Sequence, residues 1–162
     1  MTPNISLSKG GPGIKRFQSA LAKIAKSEVL VGIPQSRNSR KGEKIGNAAL
    51  MYILANGSPG HKIPARPVIE PAIAADGNRQ AIASDLQDAV KGMLNDNPTQ
   101  ATTALRRAGM AGSNAAKAWF TDPRNNWPPN RPSTIRRKKS DRPLIDTGDL
   151  RRSITYVVRE SR

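Results

Sequence analysis

The sequence predicts an α+β fold in which three to four helices pack against a small mixed or antiparallel sheet, with extended basic arms and loops. Two segments, at residues 28–33 and 154–158, alternate apolar residues with others as strands do. Four further segments repeat apolar residues at helical intervals, which indicates helices with one buried face. We expect the first and last strands to be neighbours in the sheet.

The chain has 162 residues, a length that fits one domain. We expect a flexible N-terminal arm at residues 1–13 and a single α+β domain at 14–162. Two basic segments with few large apolar residues, at about 34–44 and 122–143, are predicted to be mobile loops without regular structure.

The predicted helices cover residues 14–27, 45–54, 78–94 and 99–120. The second has a predicted buried face that consists of Ile45, Ala48, Ala49, Tyr52 and Ile53, and Gly57 is expected to end it through a positive φ. The fourth begins at a predicted cap, Thr99. It is rich in alanine and glycine, which permit close approach of neighbouring elements.

A proline-rich segment, residues 63–73, follows the second helix, and we call it the proline strap. Pro64, Pro67 and Pro71 fix their own φ angles and disfavour helical geometry in the residues before them. The pattern predicts a stiff, extended segment, and residues 64–69 are a candidate for a further short strand. Within it, Arg66 and Glu70 are charged and need partners if they are covered.

The formal net charge of +15 indicates an acidic partner, which is either nucleic acid or an acidic protein surface. The run from Arg136 to Lys139 is equally consistent with a nucleic-acid patch and a solvated loop. Cysteine is absent, which favours a reducing compartment. We expect no membrane association, since no apolar run is long enough to span a bilayer.

The sequence offers no recognisable catalytic or metal-binding set, so we expect neither enzymatic activity nor a cofactor. His61 is the sole histidine and lies in a predicted turn. Asp146 and Asp149 form a conceivable acid and base pair. A turn followed by a helix start, with Arg151 and Arg152 as ion-pair partners, explains them better.

Three motifs carry a resemblance to a known family. They are the strap sequence IPARPVIEPAI after a helix and a small-residue turn, the tripeptide Trp127-Pro128-Pro129 with Pro132, Thr134 and Lys138 behind it, and PLIDTGDLRRSITYVV near the C-terminus. In this order they resemble the tail-completion or virion-morphogenesis family of tailed bacteriophages, the head-to-tail joining proteins related to minor tail protein Z.

The resemblance implies a structural virion protein that forms a ring, with six subunits expected, in the neck or proximal tail. Implied partners are other copies of the chain, neck, connector, portal or tail-tube proteins, and packaged DNA through nonspecific contacts. Candidate assembly residues are Pro64, Arg66, Pro67, Glu70, Trp127, Arg136, Arg137, Lys138, Lys139, Asp146, Thr147 and Gly148. The alternative is a sequence-nonspecific nucleic-acid-binding or DNA-packaging accessory protein, which the charge alone would explain.

Overall fold

Residues 98–119, rich in alanine and glycine, form the longest helix of the computed structural model, α5 (Pro98–Trp119). Ten of its residues are buried, and eight of these are alanine, glycine or serine. The elements with the most extensive contacts to it are helices α3 (Ile69–Ala74) and α4 (Asp76–Leu94) and strands β1 (Ser27–Gly32) and β2 (Thr155–Glu160). Small side chains allow these elements to approach α5 closely, so α5 is the centre of the fold.

The structure describes residues 12–40 and 42–160, and their remaining helices are α1 (Pro12–Lys26), α2 (Asn47–Asn56), α6 (Pro132–Lys138) and α7 (Asp149–Ser153). Three short 3₁₀ turns lie at residues 35–37, 59–61 and 123–125. The α+β class is therefore confirmed. The four longest helices correspond to the four predicted ones, α7 begins at Asp149 where a helix start was expected, and α3 and α6 are additional short helices.

The first and last strands pair antiparallel, as expected, with Val29 opposite Val158 and Val31 opposite Tyr156. Val29 and Val158 pack with Ala104 and Leu105 of α5. The outward-facing Leu30 and Val157 remain 43% and 40% exposed. The sheet is therefore covered by α5 on one face, and its other face is open.

The larger of the two apolar clusters joins the proline strap to the C-terminal segment. Val68 and Ile154 are its most deeply buried large side chains, and Trp119 and Phe120 from the end of α5 pack with them. Val68 belongs to the strap, so the strap contributes directly to the core.

The buried face of α2 differs from the predicted one. Met51 is buried and Leu50 and Leu54 pack against the core, whereas Ile45 is 40% exposed and Tyr52 71% exposed. The reason is tertiary, because the large cluster with Val68 lies on the Met51 side of the helix. Gly57 does end α2 with a positive φ of 74°. A side chain there would meet the strap, since its Cβ would lie 2.7 Å from the Ala65 amide nitrogen.

The prediction that residues 122–143 lack regular structure was wrong. They contain a 3₁₀ turn and helix α6, which begins at Pro132, where a proline without an N–H is tolerated. The loop at 34–44 likewise contains a 3₁₀ turn, and Asn38 Oδ1 accepts a hydrogen bond of 2.8 Å from the Ala48 amide. Residues 1–11 of the predicted arm lie outside the described residues, and Pro12 and Gly13 already belong to α1.

The proline strap is extended only in its first part. Residues 69–73 belong to α3, which accommodates Pro71 in its first turn because an amide there needs no helical partner. The expected strand at 64–69 does not form, and an isolated bridge joins Ser58 to Ile63 instead. At α5, the cap is Asn97 rather than Thr99, and its side chain accepts a 3.0 Å bond from the Gln100 amide. None of the helices in residues 12–40 and 42–160 combines the length and apolar character needed to cross a bilayer.

Helices α4 and α5 approach each other closely at Gly92, and this contact leads to a prediction about stability. A Cβ added at Gly92 would lie 2.7 Å from the Ala101 amide nitrogen, so Gly92→Ala would force the helices apart. We expect it to lower the free energy of unfolding by about 1–3 kcal/mol in urea titrations. Gly77→Ala in the same helix is the control, because no atom lies within 4 Å of that Cβ. The control should be neutral or stabilising by up to about 1 kcal/mol, and equal effects of the two substitutions would contradict the close approach.

Candidate assembly surface

The first part of the proline strap is held against the end of α2. The Arg66 amide donates a 2.8 Å hydrogen bond to the Leu54 carbonyl, and Ser58 and Ile63 exchange backbone bonds of 2.8 and 2.9 Å. With Pro64 and Pro67 restricting the backbone on either side, these bonds fix the direction in which the Arg66 side chain leaves the strap.

The Arg66 side chain reaches the Trp127-Pro128-Pro129 segment, 62 residues along the chain. Its Nε and Nη2 donate to the Pro128 carbonyl at 3.1 and 2.8 Å, and Nη2 also donates to the Pro129 carbonyl at 3.0 Å. Pro128 and Pro129 have no amide hydrogen, so neither residue can donate to a backbone ladder. Arg66 supplies the donors instead. The residue is 7% exposed, and burial lowers its pKa from the usual value.

Trp127 makes the return contact from the tripeptide to the strap. Its Nε1 donates to the Pro67 carbonyl at 3.1 Å, and its ring meets that of Phe120 edge to face at 5.9 Å. Arg66 and Trp127 therefore bind each other's segment, and we call this pair of contacts the strap lock. It joins the first two of the three motifs singled out in the sequence.

The segment before Trp127 is fixed by an ion pair. The Arg124 side chain and amide both donate to the Asp122 carboxylate, which lowers the pKa of Asp122 to about 2. The guanidinium of Arg124 also lies 5.6 Å from the centre of the Trp119 ring. Asn125 completes the turn, donating to the Trp119 carbonyl and accepting from the Trp127 amide.

All three motifs meet at one open groove of about 830 Å³, which we call the central groove. Six of the twelve predicted assembly residues line it: Arg66, Arg137, Lys138, Asp146, Thr147 and Gly148. Pro64 lines a neighbouring side groove of about 580 Å³, to which Arg66 also contributes. Pro67 and Trp127 belong to the strap lock. Glu70, Arg136 and Lys139 line neither groove.

Lys138 lies where the central groove is most crowded with cations. Burial lowers its pKa, the charge of Asp146 opposes that shift, and Arg66 and Arg137 reinforce it. Its Nζ donates to the Arg142 carbonyl at 3.0 Å. The side chain is thus held in place by a neutral acceptor, and among the described residues it has no carboxylate within ion-pair distance.

The turn at residues 146–149 also lines the central groove and starts α7. Gly148 adopts a φ of 82°, and Asp149, the first helical residue, accepts from Thr147 Oγ1 and pairs with Arg152 at 2.5 Å each. These two contacts lower the pKa of Asp149, with the hydroxyl of Thr147 the larger cause. Arg151 instead donates to the Lys117 carbonyl at 2.8 Å.

Sequence reasoning missed three buried polar residues of the groove, Asn47, Asn130 and Ser153, which are 4%, 9% and 6% exposed. Asn130 donates to the Asp141 carbonyl at 3.0 Å and so holds the tripeptide segment to the chain behind α6. Asn47 donates to the Arg37 carbonyl at 3.2 Å. Asn47 opens an apolar helix and Asn130 follows two prolines, and neither local pattern marks an asparagine as buried.

Within residues 12–40 and 42–160, no three His, Cys, Asp or Glu side chains are grouped as they would be around a metal ion. His61 is exposed in a 3₁₀ turn, where its Nδ1 lies 3.0 Å from Ser58 Oγ. Comparisons with protein-family models, curated proteins and solved structures found no match to this chain.

The strap lock generates a prediction for Arg66→Lys. Lysine keeps the charge but cannot reach two carbonyls with a planar fork, so we expect the free energy of unfolding to fall by about 1–3 kcal/mol. In ¹H–¹⁵N spectra the Trp127 indole signal should shift because its Pro67 acceptor moves, while the Trp119 signal stays. Arg136→Lys is the control on an exposed arginine outside both grooves. An unchanged stability and Trp127 signal in Arg66→Lys would show that the fork does not hold the strap.

Proposed function

We propose that the chain is a structural virion protein of a tailed bacteriophage, which completes the tail and joins it to the head as a ring in the neck or proximal tail. The observation that carries the proposal is the convergence of the three family-like motifs on the central groove. Segments that are far apart in sequence build one surface there. If the three motifs together form one binding surface, a chain that has this surface needs all three of them.

The outer surfaces support assembly into a larger particle. Along α1, Ile14, Phe17 and Leu21 are 42%, 54% and 46% exposed at helical spacing, and the open face of the sheet adds Leu30 and Val157. A two-stranded sheet is marginal on its own, and within residues 12–40 and 42–160 each strand of this one has a neighbour on only one side. Contact with adjacent copies in a ring would cover such surfaces, and a closed ring needs a different patch on each side of the subunit. Six copies is the number that the family resemblance implies.

The second candidate, a nonspecific nucleic-acid-binding or packaging protein, is favoured by the end of α6. Arg136, Arg137 and Lys139 are exposed there, and none of them makes an ion pair within the described residues. This function predicts DNA affinity that falls steeply as salt rises, because phosphate contacts release counterions. It does not account for the strap lock.

The proposal predicts the phenotype of a phage whose gene for this chain carries an early nonsense codon. Electron microscopy of the lysate should show DNA-filled heads and separate tails, and the chain supplied from a plasmid should restore joined particles. Light scattering should detect rings of the purified chain, alone or with its neck partners. Joined, infectious particles formed without the chain would contradict the proposal, and unpackaged heads would favour the second candidate.

A further inference from the structure

The central groove contains a buried acceptor that the described residues leave unsatisfied. Asn47 is 4% exposed, and its Oδ1 accepts no hydrogen bond in the described part of the chain. The amide orientation is fixed by the other atom, because Nδ2 faces the Arg37 carbonyl at 3.2 Å and a carbonyl accepts only from a donor. A buried acceptor without a donor is costly, and because Oδ1 has almost no accessible surface, a ligand that brings an N–H or O–H satisfies it only where the groove opens at Asn47.

The groove also has more positive than negative charge. Six cationic residues and three carboxylates line it, and two of the carboxylates are already paired, Glu43 with Arg40 and Asp149 with Arg152. Asp146 is the one lining carboxylate left to balance the charge of the other four cations, which are Arg37, Arg66, Arg137 and Lys138. Buried Arg66 bonds only to neutral carbonyls. An acidic ligand would offset this excess, and it would also raise the pKa of Lys138, which burial lowers.

The lining of the groove also includes apolar residues. Leu50, Leu54, Leu144 and Leu150 line it beside the polar residues, and the first three pack against the buried cluster that contains Leu150. A ligand that fits this surface has apolar groups as well as acidic ones.

We propose that the central groove binds an extended, acidic segment of another polypeptide, with acidic and apolar side chains in alternation and a backbone N–H that donates to Asn47 Oδ1. In an extended segment, alternate side chains point in opposite directions, so acidic groups can face the cations while apolar groups face the leucines. This inference rests on the proposed function, because it names the partner chemistry of the same joining surface.

Two other occupants fit less well. A phosphodiester backbone offers acceptors but no donor for Asn47 and no apolar groups for the leucines. A second copy of this chain lacks the required pattern, since no two of its twelve acidic residues are separated by a single position. The segment therefore belongs to a different protein.

The test uses the purified chain and a fluorescein-labelled octapeptide that alternates glutamate with leucine. Fluorescence anisotropy should show binding by the wild-type chain, and glutamine in place of the glutamates should abolish it. Arg137→Gln with Lys138→Gln removes two groove cations and should weaken binding at least about tenfold. Arg136→Gln with Lys139→Gln removes the same charge from the same helix segment outside the groove, and its dissociation constant should stay within about twofold of wild type. Thermal unfolding of both variants checks that each remains folded.

Asn47→Ala tests the hydrogen bond separately. It should weaken binding of the octapeptide several-fold and leave the binding of a single-stranded DNA octamer unchanged. Absence of octapeptide binding, equal weakening by the two double substitutions, or tighter groove-dependent binding of the DNA octamer would each overturn the inference. These outcomes are independent of the nonsense-codon phenotype. Separate heads and tails together with no octapeptide binding would refute the inference alone, whereas joined particles would refute the proposed function even if the octapeptide binds.

Discussion

The Arg66 guanidinium is buried between two segments that otherwise have few means of binding each other. Its fork donates to the carbonyls of Pro128 and Pro129, and Trp127 donates back to the carbonyl of Pro67. Both segments are proline-rich, so both are short of amide donors and rely on side chains to satisfy their carbonyls. The cost of burying the charge is offset only while every one of these bonds is made. This requirement gives two irregular segments a single arrangement.

The position of the central groove depends on that arrangement. The strap provides Arg66, the chain after the tripeptide provides Asn130 and part of α6, and the turn before α7 provides Asp146, Thr147 and Gly148. Val68, two residues beyond Arg66, is 1% exposed in the main apolar cluster, so the lock connects the groove to the core. A displaced strap would disturb packing around Val68 as well as the groove. Rigid support of this kind suits a surface that has to bind a neighbour with little loss of conformational entropy.

Much of the secondary structure could be predicted from local patterns, and the tertiary contacts could not. Periodicity located α4 and α5 to within a few residues, and alternation located both strands. The α2 face was wrong because Leu50, Met51 and Leu54 form a second plausible apolar stripe, and only the position of Val68 decides between them. Helix α6 was missed because it has only seven residues, begins with a proline and ends with three basic residues. Arg66 and Trp127 were recognised as significant, yet their partners are backbone carbonyls, which every residue carries and no sequence pattern marks.

The most direct test of this account is a double-mutant cycle across the strap lock, with Arg66→Met and Trp127→Phe made singly and together. Each substitution keeps an apolar body and removes the hydrogen-bond donors, and urea unfolding gives the free-energy loss of each. If the two side chains secure the same contact between strap and tripeptide, the second loss is smaller once the first has occurred, with a coupling energy of about 1 kcal/mol or more. Losses that add to within about 0.5 kcal/mol would mean that the two contacts are independent, and the strap would then be held by something other than this lock.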